Sequence, residues 1–187
     1  MSIFDKLMLA RQLKFTDGRV ELFGQPIILS PSDFLAIYIS QINEDPILVG
    51  KFYNSAKRSV KEGFGINVGK SYGFSFRDYS NWFVDILKLS GWGRVTWQEN
   101  DKENHKGVIS IQGSPIATYL KGKVKFPCDH VMRGFLAGGA SSAYKLDIDV
   151  VETECEALGA QSCKFMISLS EDITNRFPEF SKLQLGK

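Results

Sequence analysis

The chain has 187 residues, 43% hydrophobic and 24% charged, with a net charge of +2. That is the make-up of a globular domain rather than of a disordered segment or a dedicated nucleic-acid binder. Three cysteines are too few, and odd in number, for a secreted disulfide framework. Asp5, Lys6, Arg11 and Lys14 interrupt every apolar run near the start, so neither a leader nor a membrane span is expected there. The chain is read as one cytoplasmic domain over 1–187.

In chain order, Leu13 to Phe15 and Arg19 to Phe23 flank Asp17-Gly18, a hairpin signal, and Pro26 to Ser30 adds a short strand. Ser30-Pro31-Ser32-Asp33 opens a helix, with Ser as cap and Pro in the first position, and Phe34, Tyr38 and Ile42 follow at helical spacing. Asp45-Pro46 starts a second helix with Val49, Phe52, Ala56 and Val60 on one side; Gly63 and Gly65 stop it. A glycine-rich loop leads into Phe74 and Phe76, and Arg77 to Leu89 reads as a helix burying Trp82, Phe83, Ile86 and Leu89. Arg94 to Gln98 and Lys106 to Ile111 are strands around a polar turn. Ser114-Pro115 opens a short helix to Leu120, and Cys128 to Tyr144 is a longer, glycine-bearing one. Leu146 to Glu154 and Cys163 to Leu169 are strands around a turn at Gly159, and the tail from Glu171 reads as polar and peripheral. The predicted class is α+β: an antiparallel sheet of about four strands with helices packed on one face, plus a short N-terminal β-hairpin.

The segment Glu152 to Phe165 carries the chemistry. Alternation puts Cys163 on the face of Phe165, Ile167 and Leu169, and Glu152 on the face of Ile148 and Val150. A thiol and a carboxylate thus approach the core at one end of a hairpin, and an unpartnered buried carboxylate is costly. Cys155 stands at the strand end. Regular pleating would send it away from Glu152, so joint use of both requires a bulge near Thr153 and Glu154; Glu154 is the alternative ligand. Cys128 follows Pro127 at a predicted helix start, where the helix dipole favours thiolate. Three thiolates and a carboxylate make a closed zinc shell. The same cysteines also read as small buried hydrophobes, and a disulfide is the least expected reading.

The run from Cys128 to Ile167, with Glu152, Cys155, Gly159 and Cys163, resembles the vinyl-4-reductase domain; so do Ser114-Pro115 and the glycine-rich helix Met132 to Ala143. The likeness covers about residues 90–170, leaving 1–30 as an N-terminal hairpin and dimerisation region. It implies a fold like the aromatic-sensing domains of bacterial regulators and small subunits of the TRAPP tethering complex. It also implies a homodimer and zinc on Cys128, Glu152, Cys155 and Cys163. The apolar segment Ile3, Phe4, Leu7, Met8 and Leu9 suits dimerisation. Phenol-sensing relatives hold the phenol hydroxyl with a His and a Trp, a pair the sequence does not place.

The expected function is therefore binding of a small apolar or aromatic molecule, without catalysis, in a pocket lined from Trp82, Phe83, Ile86, Trp97 and Phe135. Output would pass to a separate signalling partner. A dimeric scaffold or acyl-lipid module is the alternative, and a reductase has no nicotinamide or flavin fingerprint behind it. Gly69-Lys70-Ser71 has the end of a phosphate loop, but Phe64 stands where its first glycine must be. His105 is read as solvated in its turn. His130 is read as a supporting or surface residue, and Lys51, Lys57, Arg58 and Lys61 as a solvated helix side.

Overall fold

The computed structural model describes residues 13–64 and 76–186. The segment Ile3 to Leu9 and the loop containing Phe74 lie outside them. Strands β1 (Leu13–Thr16), β2 (Arg19–Leu22) and β3 (Gln25–Ile27) form an antiparallel sheet. Its first turn is Asp17-Gly18, where Gly18 takes φ +69°. Helix α1 (Ser32–Ile42) begins one residue later than expected: Pro31 occupies the cap position and no side chain caps it. Helix α2 (Pro46–Arg58) is capped by Asp45, which accepts from the N–H groups of Ile47 and Leu48, and it runs on into a π-helical turn, Ser59–Phe64.

Helix α3 (Phe76–Leu89) leads to β4 (Arg94–Asp101) and β5 (Lys106–Gln112). Short α4 (Pro115–Tyr119) is capped by Ser114 Oγ, which accepts from Ala117 N–H. Helix α5 (His130–Tyr144) precedes β6 (Ile148–Glu154) and β7 (Cys163–Leu169). The four strands form one antiparallel sheet ordered β4-β5-β7-β6, as the α+β reading expects. Helices α3 and α5 pack on it. Gly134 and Gly138 let α5 approach α2 closely: a Cβ at 138 would sit 2.3 Å from the Lys57 carbonyl oxygen.

The tail from Glu171 is not peripheral. Two short helices, α6 (Ser170–Arg176) and α7 (Pro178–Leu185), bury Ile173, Ser181, Gln184 and Leu185. They help close the free edge of β6, whose alternate N–H groups would otherwise invite another strand. Ile148 N–H donates to Ser141 Oγ of α5, Val150 N–H to Tyr53 Oη of α2 and Glu152 N–H to Gln184 Oε1 of α7. No described helix is long and apolar enough to cross a membrane.

Candidate metal centre and apolar cavity

The bulge that the ligand chemistry demands is present. In the β6–β7 register Glu152 faces Phe165 and Glu154 faces Lys164, so Thr153 is the extra residue. The shift turns Cys155 back to the core side. Glu154 goes outward to pair with Lys164 at the surface, which removes it as a ligand. Ligand atoms of Glu152, Cys155 and Cys163 lie within 4.8 Å of one another, all buried. Cys128 Sγ joins them at 3.7 Å from Cys155 Sγ. Two thiolates at tetrahedral angles on bonds of about 2.3 Å stand about 3.8 Å apart. Cys128 itself lies two residues before α5, whose cap position is Asp129.

One oxygen of Glu152 is anchored and the other is not. Oε2 accepts from Asp129 N–H at 2.9 Å, whereas Oε1 is buried with no partner. Such an orphan costs about 1–3 kcal/mol unless something occupies it. Burial, then Cys155 and Asp129, pushes the Glu152 carboxyl well above its usual range. Hydrogen bonds from Cys128 and Cys163 pull the Cys155 thiol down to about 2, and those two thiols are pushed up in exchange. A cation would take the place of the protons this cluster otherwise retains. Glu156 N–H already points at Cys163 Sγ, 3.4 Å away. The orphaned oxygen, the sulfur spacing and the amide donor all fit a thiophilic divalent ion.

Behind the cluster is a buried cation. Arg133 donates from Nη1 to the Gln184 carbonyl at 2.7 Å and from Nη2 to His130 Nδ1 at 2.7 Å, and its guanidinium lies 5.1 Å from the Tyr53 ring centre. Because arginine can only donate, His130 Nδ1 accepts, and its Nε2–H donates to Asn43 Oδ1 at 2.6 Å. Burial and the Arg133 charge hold that imidazole well below its usual range. His130 is thus a fully enclosed supporting residue. Arg133, which sequence patterning did not single out, supplies positive charge opposite an acidic shell.

The pocket is smaller and differently lined than expected. An apolar cavity of about 40 Å³ lies between sheet and α5, walled by Phe83, Trp97, His105, Ile109, Leu136 and Tyr144. Trp97 Nε1 is buried there without an acceptor. His105 is not simply solvated: its ring meets Tyr144 edge-on at 4.8 Å and closes one side. Ile86 and Phe135 line instead a neighbouring open groove, which Phe83 shares. Trp82 lines neither; it packs on Phe23 at 5.1 Å and fixes the N-terminal sheet to α3. The cavity and the metal cluster share a cross-strand row: Trp97, Ile109, Phe165 and Glu152 are successive register partners.

An α+β domain with this thiol–carboxylate hairpin fits the family comparison: residues 108–169 match the model of the vinyl-4-reductase domain. Among solved structures, the chain is similar to the phenol-responsive sensory domain of the transcription activator PoxR, crystallised with phenol. That match has a TM-score of 0.75 and 19% identity, covering 95% of this chain and 96% of that one. A vinyl-4-reductase family protein from Methanocaldococcus jannaschii gives a TM-score of 0.46 at 17% identity, over 76% and 83% of the two chains. A trafficking protein particle complex subunit 3 from Naegleria fowleri, covalently bound to palmitic acid, gives 0.44 at 14%, over 74% and 87%. No curated protein matches by sequence.

Proposed function

We propose that this chain is a sensory domain for a small aromatic molecule of the phenol kind, built around a structural zinc ion and working as a homodimer. The observation that carries the reading is a buried donor without an acceptor, Trp97 Nε1, in a largely apolar cavity. A polar group without a partner in such a place is matched by a ligand oxygen attached to an apolar body. The similarity to a phenol-responsive domain over nearly the whole chain supports the same reading.

Cys128, Glu152, Cys155 and Cys163 would hold the zinc. In that position it supplies a cross-link between the approach to α5 and both strands of the β6–β7 hairpin. With four protein ligands the shell has no place for a reacting water, so we assign no catalysis to it. Three thiols this close together suit a reducing compartment, which favours the cytoplasm. The exposed side of α1 offers Phe34, Ile37 and Tyr38 to a second copy. Output would pass to a separate signalling partner.

The test is calorimetry and thermal shift with phenol and alkylphenols on the zinc-loaded protein. Phenol is expected to bind and to raise the melting temperature. Trp97→Phe keeps an aromatic ring and removes the donor, so affinity falls about fivefold, the worth of one neutral hydrogen bond. No heat and no thermal shift across the series would overturn the sensory reading.

A further inference from the structure

The last helix is tied to the candidate metal ligand through the ligand's own backbone. Gln184 of α7 is 2% exposed. Its side-chain amide brackets Glu152: Glu152 N–H donates to Gln184 Oε1 at 2.8 Å, and Gln184 Nε2 donates to the Glu152 carbonyl at 2.8 Å. These are the two bonds an added antiparallel strand would make at that residue. Ser141 and Tyr53 also meet the same edge, but Gln184 grips both backbone groups of one residue, and that residue is the carboxylate ligand.

The grip continues inward and outward. The Gln184 carbonyl accepts from Arg133, which holds His130 and through it Asn43 at the end of α1. The next residues of the chain lie against α2, where a Cβ at position 50 would fall 2.8 Å from the Leu185 carbonyl oxygen. Glu152 is thereby fixed in three ways: by the bulge, by Asp129 N–H on Oε2, and by Gln184 on its backbone. What remains free is Oε1.

We propose that Gln184 is a positioning residue for Glu152, and that it makes docking of α7 and occupancy of the metal centre one linked equilibrium. The proposal rests on the metal reading above. A metal that needs Glu152 in place favours docked α7, and docked α7 raises metal affinity by the same factor. The state of the core is then legible at residues 178–185.

Two measurements on the full chain test this. Chelator competition gives zinc affinity for wild type, for Gln184→Met, which keeps the packing volume and loses both hydrogen bonds, and for Ser181→Ala on the same helix as control. Gln184→Met is expected to bind zinc roughly ten- to a hundredfold more weakly, as lost supporting contacts to metal ligands do, and Ser181→Ala to match wild type. Hydrogen exchange of wild type with and without zinc needs no variant. Amides 178–185 and 148–154 are expected to lose protection together on zinc removal while 94–112 keep theirs. Affinity of Gln184→Met within twofold of wild type would overturn the coupling. So would protection at 178–185 that is unchanged by zinc, or lost no faster than at 94–112. Wild type that binds no zinc would instead overturn the metal reading, and the coupling with it.

Discussion

Single atoms decide much here, and glycines show it most simply. Gly138 and Gly159 look alike in the sequence but answer to different constraints. A methyl at 138 meets the Lys57 backbone at 2.3 Å, whereas at 159 nothing lies within 4 Å and only φ +97° resists a side chain. Gly138→Ala should therefore destabilise by about 2–3 kcal/mol through forced separation of α2 and α5, and Gly159→Ala by about 1–2 kcal/mol through backbone strain alone. Urea unfolding of the two variants checks the order; equal losses would remove the close-approach account. Cys155→Ser should lose zinc and lower the melting temperature, because it removes the sulfur nearest Cys128 and leaves Glu152 Oε1 an orphan. Metal analysis beside a thermal melt reads both, and retention of zinc and melting temperature would return the three cysteines to plain core residues.

Elements show how far patterning reaches. The β6–β7 hairpin is legible because alternation and ligand chemistry contradict each other at Thr153, and a bulge is the one local device that reconciles them. Deleting Thr153 should restore a regular pairing, send Cys155 away from Glu152 and abolish zinc binding while the sheet still forms; zinc content with a circular-dichroism spectrum decides it. Helices α6 and α7 are not legible. Each spans about two turns, too short for a 3.6-residue period to stand out, and charges at Glu171, Asp172, Arg176, Glu179 and Lys182 mask Ile173 and Leu185. The pocket is half legible. Composition brings Phe83 and Trp97 forward, but neither the missing acceptor on Trp97 nor the fold-back of His105 onto Tyr144 has a sequence signal, since both depend on which distant groups arrive nearby.

For the whole molecule, the distribution of apolar surface argues for self-association. Phe34, Ile37 and Tyr38 are 67%, 46% and 45% exposed on α1, a helix whose one charged residue is Asp33. Aromatic, charge-poor patches of this sort form the centres of protein interfaces. Sedimentation at micromolar concentration should find a dimer, and Ile37→Asp should shift it to monomer without loss of helix signal; a wild-type monomer would count against the assignment. The cavity, finally, bears on time as well as on affinity. A benzene ring needs a void of about 150 Å³, and about 40 Å³ stands ready. A ring enters only after Tyr144 and His105 part, so capture waits on that parting rather than on diffusion. Once the two rings close again, escape must wait for the same event. Such a domain would ignore brief pulses of ligand and hold the memory of a sustained one.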